Sequence, residues 1–473
     1  MERLIKIGKV KTKKASEIKS SRIGIGFEKL DRDIFNPENA YDKLADIGVK
    51  WVRIQSGWAR TEKKKGVYDF AWIDNVVDNL LKRGLIPWIN LCYGNGLYDE
   101  DAAKIFGAVG CPPIKSAEAK NAWASYVKAL AAHMKGRVTY YEVWNEPDGA
   151  WCWKHGPSGK EYGEFVVNTS IALKSGDSDA KVVGGALCIG KTLDFAYDAF
   201  SQGMGEHIDA FSFHEYVIDE TIVFRHVKAL RGLCDAFNPS IEIIQGESGS
   251  QSRSDGHGAM RKGAWTPRKQ TKQLLRHLMA DLITDVKFTS YFSCVDMIEA
   301  LNGEAGNLSS YLDYGYFGVL GADFDAEGHS VGTYTPKLSY YALQTLAAMF
   351  SDDVKKADLP IMRWPEVSDR LFGTDCDDHT IVTNGFRRKN GSAAFVFWNS
   401  TDLMTTDFES TISLYAASLK GEVRLVDLMD GTVYKLPESI LESHGDSKYF
   451  IHNLPIKDYP MVLTFGDFIE MIE

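Results

Sequence analysis

The sequence predicts an α/β protein: a (β/α)8 TIM barrel with a small C-terminal antiparallel β-sandwich. Up to about residue 350, eight short apolar runs alternate with longer segments of helical periodicity. After about Asp352 only short strand-like runs remain. We therefore expect an N-terminal strand or arm over residues 1–21, a barrel over residues 22–351 and a β-sandwich over residues 352–473. A chain of 473 residues is long enough for one large and one smaller domain.

The predicted barrel elements follow one another in a regular order. Short apolar runs predict strands over residues 23–27, 50–55, 86–91, 138–143, 181–185, 210–213, 241–244 and 288–292. Apolar residues at helical spacing predict helices over residues 41–47, 72–82, 117–134, 160–174, 193–200, 222–237, 271–284 and 340–350. Gly48 and Gly84 are placed to end the first two helices.

An open doubly wound sheet is the structural alternative for this part of the chain. Such a sheet usually has fewer strands and a glycine-rich first βα turn, and no such turn follows the first predicted strand. In the C-terminal part, Asp430-Gly431 is a hairpin-turn signal between two strand-like runs. The apolar residues near the N-terminus make that segment a candidate to join the β-sandwich.

The composition argues against several classes of partner. A formal net charge of −10 disfavours binding to nucleic acid or to an anionic membrane. The first 22 residues are rich in lysine, and a nucleic-acid arm is one interpretation of them. We favour a solvated strand and loop, because Leu4, Ile5, Ile7 and Val10 are typical of a strand and no aromatic residues are interleaved with the lysines. We therefore expect no nucleic-acid partner and no membrane partner.

Cysteine usage and the N-terminus predict a cytoplasmic protein. No apolar segment resembles a secretory signal or is long enough to cross a bilayer. The seven cysteines are odd in number, scattered, and form no CxxC pair, which favours reduced thiols over a disulfide framework or a structural zinc site. The sequence suggests no cofactor and no metal, and it does not determine the oligomeric state.

Two glutamates stand where a barrel places its chemistry. Functional groups of such barrels lie at the carboxyl ends of the strands. Residues 144–147 (WNEP) follow the fourth predicted strand and residues 246–249 (GESG) follow the seventh. A facing pair of carboxyl groups suits the cleavage of a glycosidic bond, because one donates a proton to the leaving oxygen while the other attacks the anomeric carbon. A single such glutamate is more often a surface or salt-bridging residue, whereas the pair favours a glycosidase.

This arrangement resembles clan A of the glycoside hydrolases. Residues 58–60, 62, 66, 68, 70 and 72–74 resemble the loop and helix after the second strand of such enzymes, and residues 340–343 resemble their last barrel helix. The appended β-sandwich makes family 39, the β-xylosidase family, the nearest one. The resemblance implies a retaining double displacement with Glu146 as acid/base and Glu247 as nucleophile. It implies that Glu146 starts the cycle protonated.

The resemblance also implies roles for residues around this pair. Asn145 would bond the sugar 2-hydroxyl, and Arg53 at the end of the second strand would help to keep the nucleophile ionised. In the segment after the sixth strand, Tyr216 would donate to the nucleophile and His214 would line the pocket. Glu215 lies between them, and strand alternation points its side chain away from the pocket.

Several residues are further candidates for sugar contacts. Trp58, Tyr93, Trp151, Trp153 and Trp265 lie in or near predicted βα loops, where loop packing is about as frequent as sugar stacking. We expect Trp58, Trp151 and Trp153 to bind substrate, the last two on the leaving-group side.

The end of the eighth strand departs from the clan. Residues 293–297 (SCVDM) lack the tryptophan that many members carry there as a platform under the sugar. Asp296 could contact sugar hydroxyls in its place, and an ordinary loop carboxylate is the alternative. The nucleophile string GESG also differs from the usual family 39 neighbourhood, so the sugar itself stays open among xylose, galactose, glucose and arabinose.

Two other classes of function remain open from the sequence. A barrel that binds carbohydrate without hydrolysing it would be expected to lose one of the two glutamates, and both are present. A metal-dependent barrel lyase or isomerase would gather ligands at strand ends, where Glu146, His214, Glu247 and Asp296 stand. We favour an exo-acting hydrolase of short oligosaccharides or glycosides. Transglycosylation is a variant of the same mechanism.

Overall fold

A closed barrel of eight parallel strands forms the larger part of the protein. The computed structural model describes residues 4–104, 107–188, 193–254, 259–260, 262–298, 314–363, 381–445 and 447–473. After an N-terminal strand β1 (Ile5–Val10), the barrel strands are β2 (Ile23–Gly26), β3 (Trp51–Gln55), β4 (Ile86–Leu91), β5 (Tyr140–Val143), β6 (Lys181–Cys188), β7 (Ala210–His214), β8 (Glu242–Ser248) and β9 (Val286–Tyr291). Antiparallel sheets follow, so the predicted fold class is confirmed.

Helices lie between the barrel strands and cover their outer side. They are α1 (Tyr41–Ile47), α2 (Trp58–Thr61), α3 (Ala71–Lys82), α4 (Gly107–Gly110), α5 (Ala117–Met134), α6 (Gly159–Gly176), α7 (Leu193–Ala199), α8 (Gly205–His207), α9 (Thr221–Phe237), α10 (Pro267–Ile283) and α11 (Leu338–Met349). Gly48 ends α1 with φ of 85°, a left-handed conformation that suits glycine, as the sequence predicts.

The barrel interior changes from apolar to polar along the strand direction. An inner cluster contains Trp88, Tyr140, Ala210 and Phe288, with Trp51 packed against it. Successive residues of a strand face opposite sides, so the residue two positions further along again points inward. These next residues are Arg53, Asn90, Glu142, Ser212 and Ser290, all buried. The strands therefore bring a layer of charged and polar groups to the mouth of the barrel.

The seventh barrel strand is longer than predicted. The prediction ended at residue 244, whereas β8 continues to Ser248 and includes Glu247. Its pairing with β7 and β9 is interrupted by register shifts, and Glu247 pairs with His214. Because such irregularities and the polar residues obscure the alternation of the sequence, the apolar run marks only the first half of the strand.

Small strands between β9 and α11 were not predicted. They are β10 (Met297–Ile298), β11 (Tyr314–Gly315), β12 (Leu320–Phe324) and β13 (Ser330–Pro336), and β12 and β13 form an antiparallel pair. Their residues are mostly half-buried or exposed, so they lack the apolar runs by which strands are recognised.

Two antiparallel sheets make up the C-terminal sandwich. The remaining strands are β14 (Lys355–Lys356), β15 (Ile361–Arg363), β16 (Ile381–Arg387), β17 (Ala393–Asn399), β18 (Glu409–Ala417), β19 (Val423–Asp427), β20 (Thr432–Lys435), β21 (Leu441–Ser443), β22 (Lys448–Lys457), β23 (Met461–Phe465) and β24 (Met471–Ile472). One sheet has the order β14-β16-β17-β23-β19-β20-β1-β24 and the other β15-β18-β22-β21. The N-terminal strand β1 thus lies in the sandwich, and the domain limits at residues 22 and 352 stay a prediction.

Helix α10 carries polar side chains that are buried between the barrel and the sandwich. Lys272 Nζ lies 2.8 Å from Asp458 Oδ2, and both side chains are fully buried. Arg276 Nη2 lies 2.6 Å from Glu220 Oε2, which is also buried. Removing one partner of such a pair leaves a buried charge without compensation. The Lys272–Asp458 pair joins α10 to the sandwich, and the Arg276–Glu220 pair reaches it because Arg276 donates to Thr401 O and Glu220 accepts the Trp398 indole.

Two further expectations concern membrane-spanning helices and the state of the cysteines. None of their helices has the length and apolar character that spanning a membrane would require. Their six cysteines are free thiols, and Cys376 lies outside the described residues.

Candidate active site

Three barrel strands bring Glu146, His214 and Glu247 together at the mouth. Glu146 follows β5, His214 ends β7 and Glu247 lies in β8. His214 Nδ1 is 3.1 Å from Glu146 Oε1 and 3.0 Å from Glu247 Oε2. One oxygen of each carboxyl group and a ring nitrogen of His214 all lie within 4.8 Å of one another. The two predicted carboxyl groups therefore face each other across a histidine.

The backbone around Glu146 adopts an uncommon conformation. Trp144 has φ of 66° and Glu146 has φ of 45°, both in the left-handed region that non-glycine residues rarely enter. The surrounding structure holds this turn: the Glu146 amide donates to Ala186 O at 3.0 Å, and the Trp144 indole donates to Cys152 O at 2.8 Å. Strained backbone of this kind persists where the fold over-determines it and is frequent at functional sites.

Glu247 is surrounded by groups that stabilise its ionised form. It accepts a hydrogen bond from Tyr216 OH at 2.7 Å, and Arg53 Nη1 lies 3.3 Å from its Oε2. Burial alone would raise the pKa of Glu247, but the positive charges of His214 and Arg53 and the bond from Tyr216 lower it to about 2. Glu247 is therefore a carboxylate near neutral pH.

Arg53 links the nucleophile candidate to the barrel interior. Its Nε and Nη2 atoms lie 2.9 and 2.6 Å from Glu142 Oε2, and Nη2 also donates to Asn145 Oδ1 at 2.9 Å. Burial would raise the pKa of Glu142, but Arg53 and His214 outweigh it and lower the pKa to about 2. Sequence reasoning did not single out Glu142. The available signal was a carboxylate in the middle of a short buried strand.

His214 is held as a cation among acidic side chains. Burial would lower its pKa, yet Glu247, Glu142 and Glu146 together raise it well above the usual value. A protonated imidazole donates hydrogen bonds from both ring nitrogens. Nδ1 lies beside both facing carboxyl groups and offsets part of their negative charge, whereas Nε2 lies 3.9 Å from Glu142 Oε1.

Glu146 meets a tryptophan at the outer side of the site. The Trp151 indole donates to Glu146 Oε2, and the Trp151 side chain is 48% exposed. Behind it, Asp148 accepts the Cys188 amide at 3.1 Å, and burial raises the pKa of Asp148 to about 6. Trp151 is thus an exposed aromatic beside the acid/base candidate, and its contact with substrate stays a prediction.

Two of the predicted substrate tryptophans lie elsewhere, which corrects the prediction. Trp58 is fully buried, donates to Glu62 and packs against Tyr98, Trp123 and Tyr126. Trp153 is also fully buried, with edge contacts to its aromatic neighbours Trp144, Tyr162 and Phe165. Their loops turn back over the outer helices, so both rings face the protein interior. A sugar cannot reach either ring face in this structure.

Asp296 also differs from its predicted role. It is 2% exposed, its Oδ1 lies 2.6 Å from Lys337 Nζ, and it accepts the Gly318 amide at 2.8 Å. These partners satisfy the hydrogen-bonding capacity of the Asp296 carboxylate. They connect it to the residues that flank the β12–β13 pair, so it is not free to bind a sugar. At the same end of the barrel, Phe292 and Phe317 pack edge to face, and Phe317 also contacts Tyr216.

Within the described ranges, two groups of side chains have metal-ligand chemistry. One is Glu146, His214 and Glu247, and the other is Asp325, Glu327 and His329 near the β12–β13 turn. In the first group the ring nitrogen carries a proton and Arg53 adds a second positive charge, both of which oppose cation binding. In the second group Asp325 is occupied by the backbone and side chain of His329.

Glu215 faces away from the site, in agreement with strand alternation. Its Oε1 contacts His226 Nδ1 of α9, and burial raises its pKa to about 8. Because the folded state keeps this carboxyl protonated above its unfolded pKa, stability should fall as the pH rises from about 4.5 to 8. The Glu215 carboxyl is therefore a buried acid of the barrel wall directed at α9, and only the Glu215 backbone amide bonds Glu247, at its carbonyl oxygen.

Glu215→Gln should remove this pH dependence and leave the site unchanged. We expect the variant to melt a few degrees above the wild type at pH 8 and close to it at pH 4, because the amide is neutral at every pH. Thermal melts of both proteins across this range measure the effect. Equal melting curves at pH 8 would contradict the buried-acid assignment.

Sequence comparisons with known proteins relate part of this chain to glycoside hydrolases. A profile described as Glycosyl hydrolases family 39 matches residues 38–229. A β-xylosidase of Caldicellulosiruptor saccharolyticus is 28% identical over 193 residues, which are 37% of this chain and 38% of that protein. A β-xylosidase of Geobacillus stearothermophilus is 29% identical over 134 residues, 27% of this chain and 26% of that one. The chain thus matches less than half the length of these relatives.

Solved structures extend the likeness in fold to the whole chain. A monomeric β-xylosidase from Caulobacter crescentus CB15 superposes with a TM-score of 0.62 at 17% identity, covering 98% of this chain and 97% of that one. A family 39 glycoside hydrolase from Bacteroides cellulosilyticus WH2 gives a TM-score of 0.63 at 15% identity, covering 94% and 81%. The predicted resemblance to clan A, nearest to family 39, is confirmed. The range matched by the family profile includes Glu146 and His214, whereas Glu247 lies beyond its end at residue 229.

Proposed function

We propose that this family 39-like chain is a retaining β-glycosidase that hydrolyses O-glycosidic bonds by double displacement, with Glu146 as acid/base and Glu247 as nucleophile. The observation that carries the proposal is the facing pair itself, in which one oxygen of Glu146 lies within 4.8 Å of one oxygen of Glu247, with His214 beside both. Retaining enzymes hold their two carboxyl groups roughly 5–5.5 Å apart, whereas inverting enzymes leave about 6.5–9.5 Å for a water molecule. The short separation supports retention.

The surroundings of Glu247 suit the role of nucleophile. Glu247 is kept ionised by His214, Arg53 and Tyr216, as a nucleophile requires. In the first step its oxygen attacks the anomeric carbon, while Glu146 gives its proton to the departing oxygen. The product is a glycosyl-enzyme in which Glu247 is an ester without charge.

The second step reverses these roles. With the charge on Glu247 consumed, Glu146 is ionised and accepts a proton from water, whose oxygen attacks the anomeric carbon. Glu247 leaves again as a carboxylate, and its cationic neighbours stabilise the returning charge. The two inversions give net retention.

Neighbouring side chains would place the sugar. Asn145 is fixed by Arg53 through its Oδ1, and it is proposed to meet the sugar 2-hydroxyl. Trp151 is the exposed aromatic beside Glu146 and is proposed to contact the leaving group. The side chains of Glu146 and Glu247 are only 14% and 12% exposed, so both lie inside the mouth of the barrel. Exo action on short oligosaccharides or glycosides is part of the proposal.

A panel of nitrophenyl glycosides tests the reaction and the sugar together. The two named relatives are β-xylosidases, so the β-xyloside comes first, followed by the β-galactoside, β-glucoside and α-arabinoside. With the best substrate, NMR of the first-formed sugar should show the anomer of the substrate. Initial formation of the opposite anomer would rule out the retaining mechanism.

The competing functions give different results in the same assays. A barrel that only binds carbohydrate would bind glycosides without releasing nitrophenol. A metal-dependent enzyme would lose activity after treatment with a strong chelator, whereas the proposed hydrolase should keep its full activity.

A further inference from the structure

A third carboxyl group, Glu28, shares a guanidinium nitrogen with the nucleophile candidate. Glu28 follows β2 at the mouth of the barrel and is 1% exposed. Arg53 Nη1 lies 3.3 Å from Glu28 Oε1 and 3.3 Å from Glu247 Oε2. Both contacts are longer than the roughly 2.7–2.9 Å typical of charge-assisted bonds. The Arg53 Nη1 group is therefore shared between the carboxyl groups of Glu28 and Glu247.

The other oxygen of Glu28 has an unusual environment. Glu28 Oε2 is buried and has no hydrogen-bond partner among the described residues. It lies against the bare backbone of Gly26, where an added Cβ would come within 2.2 Å of it. A buried carboxyl with an unpaired oxygen is costly for stability alone. A role in the reaction would explain why it is kept.

The titratable groups around Glu28 come from three parts of the barrel. Arg53 of β3 attracts its ionised form, Glu247 of β8 repels it, and the Cys294 thiol after β9 stays neutral because burial raises its pKa. Burial first, and then the repulsion by Glu247, raises the pKa of Glu28 to about 7. Glu28 is therefore ionised in most molecules at pH 8 and neutral in most at pH 6.

We propose that Glu28 is a positioning residue that draws Arg53 away from Glu247 and so sets the balance between the two half-reactions. This inference rests on the proposed function. An ionised Glu28 weakens the hold of Arg53 on Glu247, which makes Glu247 a better nucleophile and a poorer leaving group. The glycosylation step is therefore faster. The deglycosylation step, in which the negative charge returns to Glu247, is slower.

Glu28→Gln separates this role from a purely structural one. At pH 8, with a dinitrophenyl glycoside whose leaving group needs no proton, the pre-steady-state burst reports glycosylation and the steady state reports deglycosylation. We expect glycosylation to slow and deglycosylation to quicken, each by about three- to tenfold, the size of one charge interaction at this range. At pH 6, where wild-type Glu28 is mostly neutral, both differences should shrink.

Two further variants make the result decisive. Glu28→Met, of similar length and without an amide, should give the same opposite pair of changes and serves if Glu28→Gln fails to fold. Glu215→Gln, a buried acid of the barrel wall without contact to Arg53, should leave both rates within about twofold of the wild type. A fall in both rates, or no change in either, in folded Glu28 variants of an active retaining wild type would overturn the proposal. A wild type that releases no product would instead refute the proposed function.

Discussion

Glu247→Gly is expected to reduce hydrolysis of an aryl glycoside by roughly four orders of magnitude or more, because the variant has no group to form the glycosyl-enzyme. In the native site the side chains of Tyr216, Arg53 and His214 all contact the Glu247 carboxylate. The substitution removes this shared partner. Kinetics of nitrophenol release measure the loss, and circular dichroism checks that the variant is folded.

Rescue by an external nucleophile identifies the role of the missing group. Azide should enter the space left at position 247 and form a glycosyl azide of inverted configuration from a β-glycoside. Hydrolysis near the wild-type rate in a folded variant would exclude Glu247 as nucleophile. Glu215→Gln is the matched control, since it changes a buried acid whose side chain contacts His226 rather than the Glu247 carboxylate.

Glu146→Ala is expected to give a different pattern. Substrates with poor leaving groups should lose about two to four orders of magnitude in rate, because general acid catalysis contributes that much. A dinitrophenyl glycoside should still form the glycosyl-enzyme quickly, since its leaving group needs no proton, and then accumulate it for lack of a base. We expect a burst of dinitrophenol release followed by a slow steady-state rate.

The stereochemistry of rescue distinguishes this variant from the first. Azide needs no base, so it should restore turnover of Glu146→Ala and give a glycosyl azide of retained configuration. An inverted product, or equal losses for poor and good leaving groups, would argue against Glu146 as acid/base. Loss of the Trp151 indole bond is a side effect that Trp151→Phe controls for.

The facing pair could be predicted because two independent features agree. Periodicity locates the strand ends, and a barrel puts its chemistry there; the WNEP string and the second glutamate fall at those ends. The Arg53, His214 and Tyr216 positions followed from the family resemblance and lie around the pair in the structure.

For the other candidate residues, the sequence did not indicate the direction in which the side chain points. Trp58 and Trp153 come from loops near the mouth, yet their loops pack the rings inward against other aromatic side chains. Asp296 stands at a strand end, yet Lys337 from a later element neutralises it. Loop position in the sequence does not specify which way a side chain faces, because that depends on the partner that lies opposite.

The sequence by itself determined the alternation of strands and helices and the placement of Glu146 and Glu247 at the barrel mouth, since both depend on local periodicity and order along the chain. Only the tertiary structure decided the charge states and the sharing of Arg53 among Glu28, Glu142 and Glu247. Arg53 and Glu247 are 194 positions apart in the chain but 3.3 Å apart in the fold. Burial and Coulomb interactions depend on distance in space, so these properties exist only once the barrel has closed.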